Sequence, residues 1–155
     1  MMAGTVVLRG VDGVREALGR HLGYSDWLEI TQERVNQFAD ATGDDQWIHV
    51  DVERAVAESP YGGPIAHGYL TMSLSNGLVP TVVRLEGFAM GINYGVDRVR
   101  FPAAVPVGAR IRAGVELREV TDVNGGIQTR MQITMEVEGS DKPACVIESL
   151  SRWML

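Results

Sequence analysis

Cysteine is nearly missing from this 155-residue chain: Cys145 stands alone. A single cysteine excludes an intramolecular disulfide and fits a reducing compartment. Its neighbours Ala144, Val146 and Ile147 mark it as a buried strand residue rather than a nucleophile. No apolar run approaches the roughly 18 residues needed to span a bilayer, and Met1 to Arg9 lack the long apolar core and cleavage site of a secretory leader. The expected setting is therefore cytoplasmic, with no membrane partner. Basic charge is also scarce. A net charge of -6 and a sequence pI near 5.0 argue against a general nucleic-acid binder, which must neutralise phosphates. Internal repeats, low-complexity segments and linkers are lacking as well. With 45% apolar and 22% charged residues, the chain fits one globular domain over 1–155, its first 24 residues forming an N-terminal helical extension.

Two regimes of periodicity divide the chain. Asp12 is placed to cap a short helix with Val14, Ala17, Leu18 and Leu22 near one face and Gly23 as its stop. Ser25 to Ile30 reads as a short strand. Thr31 then offers an N-cap for a helix over Gln32 to Ala41, which Gly43 ends. Asp51 caps a second short helix through Ala57, closed by Ser59-Pro60 and the Gly62-Gly63-Pro64 turn. From Ala66 to Val83 apolar residues cover much of a helical circumference, predicting an enclosed helix that Gly77 and Pro80 break or bend late. The second half alternates instead. Phe88 to Arg100, Ala109 to Val120, Ile127 to Val137 and Ala144 to Met154 read as strands, with Asn124-Gly125 as a hairpin turn. One enclosed helix followed by an antiparallel meander predicts an α+β domain with the sheet curled around that helix.

The chemistry concentrates between the two regimes. Asp44 and His49 lie in a stretch expected to be loop, pinned by a helix on either side, and His67-Gly68 opens the enclosed helix. A carboxylate and an imidazole can serve as acid and base, and a helix N-terminus favours anions. On spacing alone, Asp44 can equally be a helix C-terminal turn residue and His49 a packed histidine. A metal site from Asp44, His49, Asp51 and His67 is a further possibility. Asp51 is better explained as a cap, however, and no dense ligand motif appears, so no metal is assigned.

Four blocks in order carry a family resemblance: Ala41-Thr42-Gly43-Asp44, Ile48-His49-Val50-Asp51, Gly63-Pro64-Ile65-Ala66-His67-Gly68, and Arg98-Val99-Arg100-Phe101-Pro102-Ala103. With them the chain resembles the MaoC-like (R)-specific enoyl-CoA hydratases of the hot-dog fold, in a short single-domain form like that of actinobacteria. Gln46-Trp47 stand where many members carry Asn-Pro, which bears on loop shape and substrate size. The resemblance implies that Asp44 and His49 act on water and that the backbone N–H of Gly68 holds the thioester oxygen. It also implies that Asn76 hydrogen-bonds the catalytic carboxylate. His67, just before Gly68, reads as a supporting residue that orients the helix start through hydrogen bonds rather than one that transfers a proton directly. The implied substrate is an acyl-CoA, with no cofactor beyond the CoA it carries, and the implied assembly is a homodimer.

Three rival readings stand beside this one. A 3-hydroxyacyl dehydratase acting on carrier-protein substrates would run the same transition state in reverse. A hot-dog thioesterase would release free thiol. A non-catalytic acyl-CoA-binding subunit would lack the dyad, which is intact here. Met72, Met131 and Met135 read as core filler. Arg84, Arg98, Arg100, Arg110 and Arg112 read as solvated strand residues, with none assigned to CoA phosphates.

Overall fold

The computed structural model describes residues 4–155, so the beginnings of the Met1 to Arg9 stretch and of the 1–155 domain lie outside the described residues. Sheet and helices form the expected α+β arrangement. The elements run β1 (Val6–Arg9), α1 (Gly10–Glu16), β2 (His21–Tyr24), β3 (Leu28–Glu29), α2 (Gln32–Thr42), α3 (Trp47–Val50), α4 (Val52–Glu58), α5 (Gly68–Val82), β4 (Val83–Glu86), β5 (Met90–Arg100), β6 (Arg110–Val123), β7 (Gly126–Val137) and β8 (Cys145–Met154). Six strands make one antiparallel sheet in the order β2-β6-β7-β8-β5, with β3 also pairing β6. The helix α5 packs across its inner face against β2, β6, β7 and β8.

Strict alternation sets the register of the central strands. In β7 the side chains of Ile127, Thr129, Met131, Ile133, Met135 and Val137 are buried, and those between them only half so. A slip of one residue would reverse both faces, which is why a pattern this regular specifies one pairing. Thr129 is the polar member of the row, and its hydroxyl accepts a hydrogen bond from Trp153 Nε1 at 3.0 Å. The outer face carries the arginines. Arg110 pairs with Glu138, Arg112 with Glu136, and Arg130 with Asp97 and Glu119. Arg112 also lies over the rings of Tyr24 and Trp27, so these strand arginines are engaged on the surface.

The N-terminal segment departs from the sequence reading. It is not a helical extension: β1 pairs in parallel with β4, and β2 joins the main sheet beside β6. Asp12 sits in the first turn of α1 without capping it, and the helix ends at Glu16, well before Gly23. Residues His21 to Tyr24 are claimed by strand pairing with β6, a contact almost a hundred positions away that no local period displays. The helix α5 also differs. It continues through Pro80 to Val82, and Val83 already belongs to β4. Only Leu70, Thr71, Ser75 and Val82 are fully buried on it, so one stripe faces the sheet and the rest lies toward the surface.

Candidate active site

The segment bearing Asp44 is placed by the end of α2. Thr31 caps that helix by accepting from the Arg34 amide at 3.2 Å. Gly43 closes it in the left-handed region with φ 79°, its own N–H donating to the Ala39 carbonyl at 2.8 Å. A left-handed residue costs a β-carbon strain that glycine avoids, so the chain leaves the helix here and Asp44 is the first residue beyond. Its amide donates to Thr42 Oγ1 at 3.3 Å, and its side chain is exposed.

His49 is not in a loop, as the sequence suggested, but in the single helical turn α3. Four residues are too few to show a helical period. The turn is braced from two sides: Gln32 Nε2 donates to the His49 carbonyl at 2.8 Å, and the Ile65 amide donates to the Ile48 carbonyl at 3.1 Å. The His49 ring is 8% exposed, and its Nδ1 meets the Ile65 carbonyl at 2.7 Å. A carbonyl only accepts, so Nδ1 carries the proton and Nε2 presents a bare lone pair. Burial is the largest influence on this imidazole and disfavours its charged form; His67 acts in the same sense, while the Ile65 hydrogen bond and Asp44 oppose it. The net effect is a pKa below the ordinary histidine value, which keeps the ring neutral and able to take a proton.

Gly68 is the first residue of α5, so its N–H precedes the helical hydrogen-bond ladder, and it has no backbone partner outside the helix among the described residues. A β-carbon at this position would lie 3.1 Å from two ring carbons of Phe101. The backbone is therefore bare where it meets the ring. Upstream, Ala66 N–H bonds the Val105 carbonyl at 2.8 Å and Val107 N–H bonds the Pro64 carbonyl at 3.0 Å, which fastens the approach to the helix. His49 and Gly68 line one cavity of about 190 Å³ together with Tyr61, Ile65, Thr71 and Phe101. Asp44 is not among its lining residues; it reaches the imidazoles from the exposed side.

One nitrogen of each of His49 and His67 and a carboxylate oxygen of Asp44 lie within 4.8 Å of one another. These are donor types that hold divalent metals. An ion, however, must lie in the plane of each ring that ligates it. The two rings stack at 3.9 Å with planes 25° apart, and such planes meet well away from either ring. The two rings therefore do not both direct a lone pair at one ion. Asp51, the fourth candidate, has its carboxylate on the Arg54 amide at 3.0 Å as the cap of α4.

A family model described as the MaoC-like domain matches residues 14–139. The chain belongs to the MaoC-like family. A curated relative from Mycobacterium tuberculosis, 3-hydroxyacyl-thioester dehydratase Z, is 54% identical over 139 residues, covering 89% of this chain and 91% of the relative. Nodulation protein N of Rhizobium meliloti is 44% identical, covering 84% and 83%. Among solved structures, the unliganded R-hydratase PhaJ1 from Pseudomonas aeruginosa superposes with a TM-score of 0.72 at 22% identity, over 88% of this chain and 81% of that one. The fold of this MaoC-like chain is accordingly the hot-dog fold, and its class that of the dehydratases and hydratases, the hydro-lyases.

Asn76 falls elsewhere in the MaoC-like framework. Eight residues of helix carry it about 12 Å along α5 from Gly68. Its amide donates to the Ser73 carbonyl at 3.1 Å, and its Oδ1 accepts from Asn93 Nδ2 at 2.9 Å. Among the described residues it is not a partner of Asp44, which corrects the sequence expectation. It lines instead a second cavity of about 390 Å³, walled by Val79, Val83, Met131, Ile133 and Trp153 with Ser149 and Ser151. Met131 thus faces a cavity as well as filling core. Phe101 and Tyr61 had no assigned role in the sequence reading. Phe101 lay within a matched block, and the signal that singles it out is the glycine it abuts. Among the described residues no helix is long and apolar enough to cross a membrane.

Proposed function

We propose that this protein is an (R)-specific enoyl-CoA hydratase, adding water to a trans-2-enoyl-CoA to give the (3R)-3-hydroxyacyl-CoA, with Asp44 and His49 catalytic and no metal or redox cofactor. The observation that carries this reading is the placement of His49, with Nδ1 on the Ile65 carbonyl and Nε2 left to accept, in one cavity with Gly68 and with the Asp44 carboxylate close by. Water is held between Asp44 and His49. Its oxygen attacks C3 as His49 takes one of its protons, and the electron pair of the double bond moves through C2 onto the thioester oxygen. The Gly68 N–H meets that developing charge; a donor of this kind is worth roughly 3 kcal/mol. The proton then passes from the dyad to C2, which completes the addition with no net change at the enzyme.

The cavity beside Asn76 offers apolar walls for an acyl chain. Among the described residues the edge strand β5 is paired on one side only, and it exposes Met90, Ile92, Tyr94 and Val96, each 47–56% accessible. An open edge this long invites pairing, and the reading includes a homodimer formed there. Sedimentation of the native chain and of Ile92→Lys tests it: a dimer weakened by the charge is expected, and a native monomer contradicts it.

The 54% identity to a protein named as a dehydratase favours a second reading, the same chemistry run toward the enoyl thioester. Both directions share one transition state, so the residues are the same. Loss of enoyl absorbance with trans-2-enoyl-CoA substrates, chiral analysis of the product, and the same assay on carrier-protein thioesters decide between CoA and carrier. No loss of absorbance on either would defeat both readings.

A further inference from the structure

His67 precedes the oxyanion glycine yet does none of the work of a helix cap: its side chain makes no capping hydrogen bond to α5. It is 2% exposed. Its Nε2 meets the Asp44 backbone carbonyl at 2.9 Å, and since the carbonyl only accepts, that nitrogen carries the proton. One face of the ring stacks on His49 with centroids 3.9 Å apart, and the ring also leans on Phe38 of α2 at 4.9 Å. Nδ1 is buried and has no hydrogen-bond partner among the described residues. Two of these contacts fall on groups whose position the dyad needs: the main chain of the carboxylate residue and the ring of the imidazole. A serine or aspartate would cap the helix better, and a phenylalanine would fill the space without leaving a nitrogen unpaired. The imidazole supplies both the flat ring and the N–H at this spot.

We propose that His67 is a positioning residue for the hydration: it ties the Asp44 segment to the start of α5 and fixes the His49 ring by stacking, so that carboxylate, imidazole and Gly68 amide address one water and one thioester. This rests on the reading given above for Asp44 and His49. The role is distinct from orienting the helix, because the hydrogen bond runs backward to residue 44 rather than forward into α5.

The test compares the full-length native enzyme with His67→Phe, which keeps a ring and loses the donor, and His67→Gln, which keeps an N–H and loses the stack. Kinetics on crotonyl-CoA, circular dichroism and the pH dependence of kcat/KM are measured for each, with Asp44→Asn as the control. The titratable groups that bear on His49 are Asp44 and His67, so replacing His67 removes one influence that holds the imidazole neutral. Both variants are expected to lose tenfold or more in kcat with KM changed less than threefold, with the acid limb of the profile moved upward and His67→Gln the more active of the two. Folded variants with kcat within threefold of native and an unmoved acid limb would overturn the role. So would failure of both to fold, which would make His67 a folding residue. If His67→Phe alone fails to fold, His67→Gln decides by the same kcat and pH criteria. The two levels separate cleanly: an inactive native enzyme, or an Asp44→Asn variant as active as native, sinks the hydratase reading. A dead Asp44→Asn beside unaffected His67 variants sinks only the positioning role.

Discussion

Replacing Gly68 by alanine should separate what the helix needs from what the site needs. In the helix, alanine is favoured over glycine by up to about 1 kcal/mol. Against this, the new methyl would stand 3.1 Å from Cδ1 and Cε1 of Phe101 and 3.3 Å from Cγ, so the ring must give by a few tenths of an ångström. Phe101 is 41% exposed and has room to move outward. The two effects nearly cancel, and a net change within about 1 kcal/mol shifts the melting temperature by only about 2–4 °C for a domain of this size. Activity answers to a different length scale. The ring and the amide line the same cavity, and a thioester oxygen must approach the amide to about 2.7–3.1 Å. A displaced ring and a methyl beside the donor should take most of the value of that contact, and losing one such donor lowers kcat roughly 10²–10³-fold. The assay is thermal unfolding beside kcat on crotonyl-CoA, for Gly68→Ala alone and with Phe101→Leu. The expected result is near-native melting, a loss of about a hundredfold, and partial recovery when the ring is trimmed. A Gly68→Ala enzyme within threefold of native would refute the argument that this amide faces the substrate.

Other perturbations follow from the same geometry. Because burial disfavours imidazolium at His49, the acid limb of kcat/KM should lie below the ordinary histidine pKa of about 6.5, and a limb at or above that value would contradict a neutral buried base. The linked effect on stability has the same sign: the unfolded chain binds this proton more readily, so the stability due to His49 is present above the ordinary histidine range and is lost as pH falls through it. Burial pushes the Cys145 thiol up to about 11, so iodoacetamide should leave it unmodified in the folded protein and label it on denaturation; rapid labelling at neutral pH would show the site to be open. Gly43→Ala places a β-carbon at φ 79° and should cost about 1 kcal/mol in urea unfolding, with kcat falling further because Asp44 is the next residue; equal stability would mean the α2 terminus relaxes freely.

How far the fold could be foreseen depended on how local its signals were. Thr31 and Gly43 framed α2 because a cap and a left-handed glycine are visible within three residues of the ends they make. Asn124-Gly125 marked the β6–β7 turn, where Gly125 has φ 82°, and the alternation after it set the buried face of β7. The pairing of β1 with β4 was invisible, because Val6 to Arg9 find Val83 to Glu86, 77 positions away, and neither run is long enough to show a period. His21 and Leu22, which belong to β2, read as the end of a helix for the same reason. The candidate site was legible as a set of blocks rather than as a geometry. Asp44, His49, His67 and Gly68 do come together, whereas Asn76 lies about two turns along α5 and bonds Asn93 instead. Helical spacing places a residue along an axis but does not say which loop leans over it.

The claim on which the rest depends is that Asp44 and His49 act together on one water. Turnover of trans-2-enoyl-CoA substrates by the native enzyme, Asp44→Asn and His49→Gln, followed by enoyl absorbance with chiral analysis of the product, tests it most directly. The account predicts a (3R)-3-hydroxyacyl product from the native enzyme and a loss of at least about a hundredfold in each variant, within the ~10²–10⁴ that acid–base groups contribute. A fall of less than threefold in both variants, or release of free thiol with the double bond untouched, would contradict it.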